Sequence, residues 1–212
     1  MTRRPAALGA ARTPRGALGG RRWRIGGCRP PAPRFAARFA NLRFKAADRL
    51  RGDLARTLDL PPDSLCAELG QYDCIEALLK VALGGVEAYR ANIYRPFPEP
   101  SVAAPLIVER VALAACTRRI AADRAEPATA LFWGAVPLAG ARLADVDGEP
   151  VTAALTALYT RALLRRPTED ELSAHRQLYR DLEAAGLEGS PALQWAQAAC
   201  VAVLTSTEFL FY

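Results

Sequence analysis

Five cysteines, one histidine and scattered acids are the residues of this 212-residue chain with the most obvious capacity for chemistry. The cysteines are Cys28, Cys66, Cys74, Cys116 and Cys200, and the histidine is His175. Covalent haem attachment needs Cys-x-x-Cys-His, a motif the chain lacks. Its only methionine is Met1, so a His/Met axial pair within a fold is implausible. Zinc sites cluster Cys and His at short spacing, whereas Cys66 and Cys74 stand eight apart and Cys116, Cys200 and His175 are scattered. Asp145-Val146-Asp147-Gly148-Glu149 has the composition of a calcium-loop start. With Gly148 at the invariant glycine, Leu143 falls on the first ligand position and Ala154 on the bidentate one. An Asp-Gly turn is the better reading.

Catalytic motifs are absent in the same way. There is no G-x-S-x-G, Walker A or dinucleotide fingerprint. His175, beside Arg176 on an amphipathic pattern, reads as a boundary residue with its ring half packed. Cys74 is the better-placed reactive group, because a helix N-terminus lowers a thiol pKa. It has no Cys-x-x-Cys or histidine partner. No catalytic, cofactor-binding or metal-ligating residue is assigned, and the chain is read as non-enzymatic and without a cofactor. The cysteines point instead to a covalent brace. Gly70 lets the chain reverse between Cys66 and Cys74, which would bring their Cα atoms within bridging range. Cys200, on an apolar helical stripe, is expected to stay free, and Cys116 with it.

The elements that position these residues are helices. Phe35, Phe39, Leu42, Ala46, Leu50, Leu54 and Leu58 recur at three- and four-residue steps and predict a helix over 35–58, with Lys45, Arg49 and Arg56 on its solvated face. A break at Leu60-Pro61-Pro62-Asp63 precedes a short helix over 64–69. Asp73 then caps a helix from Cys74 to Leu83, ended by Gly84-Gly85. Residues 86–104 are irregular, and Tyr89, Tyr94 and Phe97 make them a possible interaction loop. The favoured reading packs these aromatics into gaps between helices. Pro105 opens a long apolar helix to about Arg124. Residues 128–150 hold the run Ala130-Leu131-Phe132-Trp133 and a Gly/Asp-rich connector. No segment alternates long enough to read as a strand.

A three-helix unit closes the chain over 151–212. The first helix, 151–164, stops at Arg165-Arg166-Pro167. Thr168-Glu169-Asp170-Glu171 is a capping box that starts the second, and Gly186 stops it. Ser190-Pro191 starts the third. Leu158, Leu178, Leu182, Leu193, Trp195 and Leu204 are the expected core, and the terminal aromatics Phe209, Phe211 and Tyr212 are expected to dock. The fold class is therefore all-α: a multi-helix, orthogonal or bundle-like single domain over 35–212 behind a disordered basic arm, 1–34.

Two stretches of this unit, LYTRALLRRPTEDEL (158–172) and AACVAVLTSTEFLFY (198–212), carry a resemblance. They resemble the closing helical module of a large group of uncharacterised, secreted bacterial proteins, in which a LY.R.L.R.PT..EL helix pair precedes a helix ending in SxEFL. That group is often associated with cytochrome c domains. The resemblance covers about a quarter of the chain and implies a helical fold and an exported setting, with no established reaction. Since this chain has no haem motif, it is not itself the cytochrome.

Charge divides the chain. Residues 1–56 carry 15 Lys/Arg and 2 Asp/Glu, and residues 57–212 carry 13 and 20, a net of +13 against −7. Residues 1–34 hold five prolines, six glycines and many arginines, a composition that cannot build a core. Three readings of this arm stay open. It is a solvated tail (or follows a start assigned too far upstream). It is an export signal, in which Ile25-Gly26-Gly27-Cys28 is a lipoprotein box and Cys28 a lipidation candidate, although Arg21, Arg22 and Arg24 occupy the place of the apolar region. Or it is a nucleic-acid arm with Trp23 available to stack. The leading expectation is a structural or protein-interaction module of an exported bacterial protein, in the periplasm or at the cell surface. The alternative is a nucleic-acid-binding protein, and the alternative location is the cytoplasm. No apolar run is long enough for a transmembrane helix.

Overall fold

Ser190-Pro191 starts the helix on which the others pack. The Ser190 hydroxyl accepts from the Leu193 amide, and α5 runs Pro191–Leu204. One flank buries Ala192, Trp195, Ala196, Ala199, Cys200, Val203 and Leu204. The small residues among them let neighbouring helices approach closely. Against α5 lie α2 (Ala104–Ala125), α3 (Glu149–Leu163), α4 (Glu169–Ala185) and the one-turn α6 (Thr207–Leu210), while α1 (Ala47–Leu58) packs on α2. The computed structural model describes residues 42–212, apart from Leu69, Pro98 and 139–141. Its architecture is all-α, with one two-residue hairpin, β1 (Ala67–Glu68) against β2 (Tyr72–Asp73). The basic arm, Cys28 and the first turns of the helix expected from Phe35 lie outside the described residues. No helix among those described is long and apolar enough to cross a membrane.

The closing unit follows its local signals. Thr168 and Glu171 form both halves of the capping box, and Gly186 ends α4 in the left-handed conformation at φ 60° that glycine adopts without a Cβ clash. Thr168→Ala is expected to cost about 1 kcal/mol by removing the cap, read as a lower urea midpoint; an unchanged midpoint would refute the assignment. Leu158, Trp195 and Leu204 are fully buried. Leu178, Leu182 and Leu193, expected in the core, sit at its margin as half-buried neighbours. The core beneath them is filled by Trp195, which stacks edge-on against Trp133 and Tyr179.

The N-terminal half departs from the sequence reading in three places. Residues 42–46 are not helical, and α1 begins at Ala47. Here the chain pairs with its own C-terminus: Arg43 N donates to Tyr212 O at 3.0 Å, Tyr212 N to Arg43 O at 3.1 Å, and Lys45 N to Leu210 O at 2.9 Å. The three- and four-residue spacing of Leu42 and Ala46 is compatible with a helix, but this distant pairing wins. Phe44 meets Phe211 edge-on, so the terminal aromatics dock through backbone and ring, with Phe209 buried and Tyr212 still half exposed.

Lys45 is not solvated. It is buried, binds Asp53 at 2.9 Å and lies 4.1 Å from the Phe209 ring centroid. The helix expected over 64–69 is instead a 3-10 turn, Pro62–Ser64, followed by β1. The segment after Asp73 is a π-type turn, Cys74–Leu79, continued by turns to Gly84. Asp73 does cap it, accepting from the Ile75 and Glu76 amides at 2.9 Å each.

The C-terminal ends of α1 and α2 are both tied to the rest. At the α1 C-terminus, Arg161 of α3 donates to Thr57 O and Arg56 O at 2.9 and 2.8 Å. These carbonyls have no intrahelical partner, and a cation there suits the helix dipole. Asp123, at the C-terminal end of α2, is fully buried and accepts from the Leu131, Phe132 and Trp133 amides at 2.9, 3.0 and 3.1 Å. Arg119 completes its shell at 2.8 Å. This one carboxylate holds the Ala130–Trp133 run in place.

Candidate functional site

The loop of residues 86–103 is built on a fixed base. Gly84 turns the chain at φ 75°, and its carbonyl accepts from Phe97 N at 3.2 Å. Ser101 Oγ donates to Ala82 O at 2.6 Å. Between these anchors Glu87 and Ile93 exchange two backbone bonds of 3.0 Å, closing a tight turn in which Asn92 takes the left-handed conformation. The aromatics do not fill gaps between helices, as the sequence favoured. Tyr89 is 98 % exposed, Tyr94 70 % and Phe97 53 %. The loop is held by its own Glu87–Ile93 pairing and by the two anchors to Gly84 and Ala82, and its rings face solvent. Arg90 and Arg95 stand beside Tyr89 and Tyr94, exposed and without an ion pair among the described residues.

The four cysteines among the described residues form two pairs. Cys66 and Cys74, with Cα atoms 5.7 Å apart, bridge across the β1–β2 hairpin, as the Gly70 reversal predicts; Gly70 has φ 77°. Bridged, Cys74 is no free thiol, and the reactive-group reading of it fails. Arg51 of α1 binds the capping Asp73 at 2.7 Å and fastens this hairpin to the body. Cys116 and Cys200 are also paired, with Cα atoms 6.0 Å apart. The expectation that both stay free is wrong. Each does lie on a buried stripe, but the two stripes face one another where α2 packs on α5.

The titratable groups of the closing unit converge on one knot. Arg165 reaches Glu171 of α4 and Glu208 of α6, both at 2.7 Å, and lies over the Tyr159 ring at 5.5 Å. Tyr159 Oη is 3.0 Å from His175 Nε2. His175 is buried rather than half packed; burial lowers its pKa below the ordinary histidine value and raises that of Tyr159. Neither ring is placed for acid–base work on an outside substrate.

The Arg165 guanidinium, helped by Thr168, holds the Glu171 carboxyl down at about 2, and Arg165 lowers Glu208 too. Because the folded value of Glu171 lies below the ordinary one near 4.5, its contribution is complete above that value and is lost as pH falls towards 2. Glu171→Gln should therefore flatten the loss of stability between pH 4.5 and 2, measured as urea midpoint against pH. A variant that keeps the wild-type slope would contradict this.

Several polar side chains of the closing unit are thus spent on architecture. Tyr159, Arg161, Arg165 and Glu171 each reach another element, while Thr168 and Ser206 cap α4 and α6. Asp145 forms an Asx turn, accepting from Asp147 N at 2.9 Å, in keeping with the Asp-Gly reading. No group of three or more His, Cys, Asp or Glu that could hold a metal occurs among the described residues. Among the described residues, the exposed aromatic loop and the adjoining charged surface of α1 stand out as a surface.

The class this defines is an all-α body with two cystine pairs and an exposed aromatic loop. No family model, curated protein or solved structure matches the chain.

Proposed function

We propose that the chain is a non-enzymatic structural and protein-interaction module of an exported bacterial protein, related to the helical group that its C-terminal segments resemble. The observation that carries the reading is the loop. Three aromatic side chains stand exposed on a backbone pinned at both ends, so contact area is presented at little ordering cost. Exposed aromatics with neighbouring arginines are the residue types that dominate binding at protein interfaces. Two cystine pairs support an oxidising location, because such bonds persist outside the reducing cytoplasm.

The nucleic-acid alternative draws less support. Arg161, Arg165, Arg166, Arg176 and Arg180 could add a second basic patch to the arm, but Arg165, Arg176 and Arg180 are bound to acids. Arg161 is bound to backbone carbonyls. Binding through arm arginines would fall steeply with salt, and absence of DNA or RNA binding at low salt removes that alternative.

Photo-cross-linking tests the main reading. Tyr94→benzoylphenylalanine, introduced in a producing bacterium, is expected to yield discrete adducts with protein. Irradiation that leaves the protein unlinked, or links it to nucleic acid, would overturn it.

A further inference from the structure

The surface of α1 beside the loop carries more positive charge than its acids neutralise. Asp53 is shared by three cations: Lys45 at 2.9 Å, Arg49 at 3.4 Å, and Arg56. One carboxylate against three cations leaves two positive charges over. Lys45 is buried, but the side chains of Arg49 and Arg56 are 54 % and 77 % exposed. They border a depression of about 480 Å³ edged by Phe211 and Tyr212. A second depression, about 460 Å³, adjoins it through Arg49 and Tyr212 and is lined by Arg43, Pro96 and Phe97.

The aromatic sides of this second depression are held in place. Tyr212 is fixed by its backbone pairing with Arg43 and by Arg49, which lies 4.5 Å from its ring centroid. Phe97 is fixed through Gly84 O. Both rings nevertheless remain about half exposed.

We infer that this double depression takes an extended acidic peptide of a protein partner, with an Asp or Glu side chain between Arg49 and Arg56 and a neighbouring apolar side chain between Phe97 and Tyr212. The inference rests on the interaction-module reading and names the partner's chemistry. Arg49 and Arg56 share the one Asp53 carboxylate with Lys45, so an incoming carboxylate on their exposed sides meets the charge left over, and the fixed rings supply the apolar contact. A nucleic-acid strand fits less well. Asp48 lines the second depression, and Asp53 and Glu208 the first; a phosphate backbone, charged at every residue, would meet them all, whereas a peptide can set its one carboxylate against the exposed guanidiniums and pass the acids with uncharged side chains. The chain's own basic N-terminal segment is a poor occupant for the same pocket, because its charge has the same sign as Arg43, Arg49 and Arg56.

The experiment pans a random decapeptide library against the oxidised full chain and, in parallel, against Arg49→Gln/Arg56→Gln. Wild-type protein is expected to enrich peptides with Asp or Glu next to an aromatic residue or proline at least tenfold. The double variant should lose that enrichment while keeping its circular dichroism spectrum. Phe97→Ala should lose the apolar preference alone.

No acidic enrichment, or enrichment that survives the double variant, overturns the inference. So does arginine-dependent binding of a labelled 12-nucleotide single strand in place of peptide. Protein cross-links from Tyr94 alongside a failed panning would leave the interaction module standing and remove only this pocket.

Discussion

Replacing Cys116 and Cys200 together by alanine is expected to lower unfolding free energy by about 4.5 kcal/mol. The bridge closes a loop of 84 residues, and in the chain-entropy model the constraint on the unfolded chain grows with the logarithm of that length. By the same model Cys66–Cys74, eight apart, contributes only about 2.5 kcal/mol. A domain's whole stability is about 5–15 kcal/mol, so the long bridge is a large share of it. It ties α2 to α5, which pack together and each bury several alanines. Chemical denaturation of wild type and the double variant, both unreduced, measures the difference. A loss below about 1 kcal/mol would mean that packing alone holds α2 to α5, since typical bridges contribute 2–4 kcal/mol.

Asp123→Ala should cost about as much, roughly 3–5 kcal/mol, because it breaks a buried ion pair and leaves the other partner uncompensated. Three amides would lose their acceptor, and Arg119, whose side chain is 12 % exposed, would keep only its long contacts to Leu58 O and Asp59 O at 3.4 and 3.5 Å. Phe132 and Trp133 would lose the anchor that seats them in the core. The expected signature is a lower urea midpoint together with a change in tryptophan fluorescence, since Trp133 meets Trp195 edge-on. A wild-type midpoint would show that the Ala130–Trp133 run is seated by its rings and not by the carboxylate.

What could be read from the sequence was what is local. The Thr168–Glu171 box, Gly186 as a stop, Ser190-Pro191 as a start and Asp73 as a cap each depend on residues within a turn of one another, and each is present. The Cys66–Cys74 pair was legible for the same reason, since only a hairpin lies between them. Features set by distant partners were not. Residues 42–46 carry a helix-compatible spacing, yet they pair with the C-terminal strand-like segment about 170 residues away. A buried cysteine on an apolar stripe looks the same whether free or bridged, so Cys116 and Cys200 gave no sign of each other.

The candidate surface was half legible. Tyr89, Tyr94 and Phe97 could be picked out by type, but their exposure depends on how residues 86–103 close on themselves. The Lys45–Asp53–Arg56 cluster was hidden in what read as an ordinary solvated helix face. Two-residue strands such as β1 and β2 are too short for alternation to register.

The body is helical, braced by two cystine pairs and carries an exposed aromatic loop, and the proposed function sets it in an oxidising compartment. Thiol labelling of the protein recovered from its own host, denatured without reduction and mapped by peptide, tests it most directly. The account predicts no label at Cys66, Cys74, Cys116 or Cys200 until reductant is added. Full labelling at all four before reduction would contradict it, removing both braces and the case for export with them.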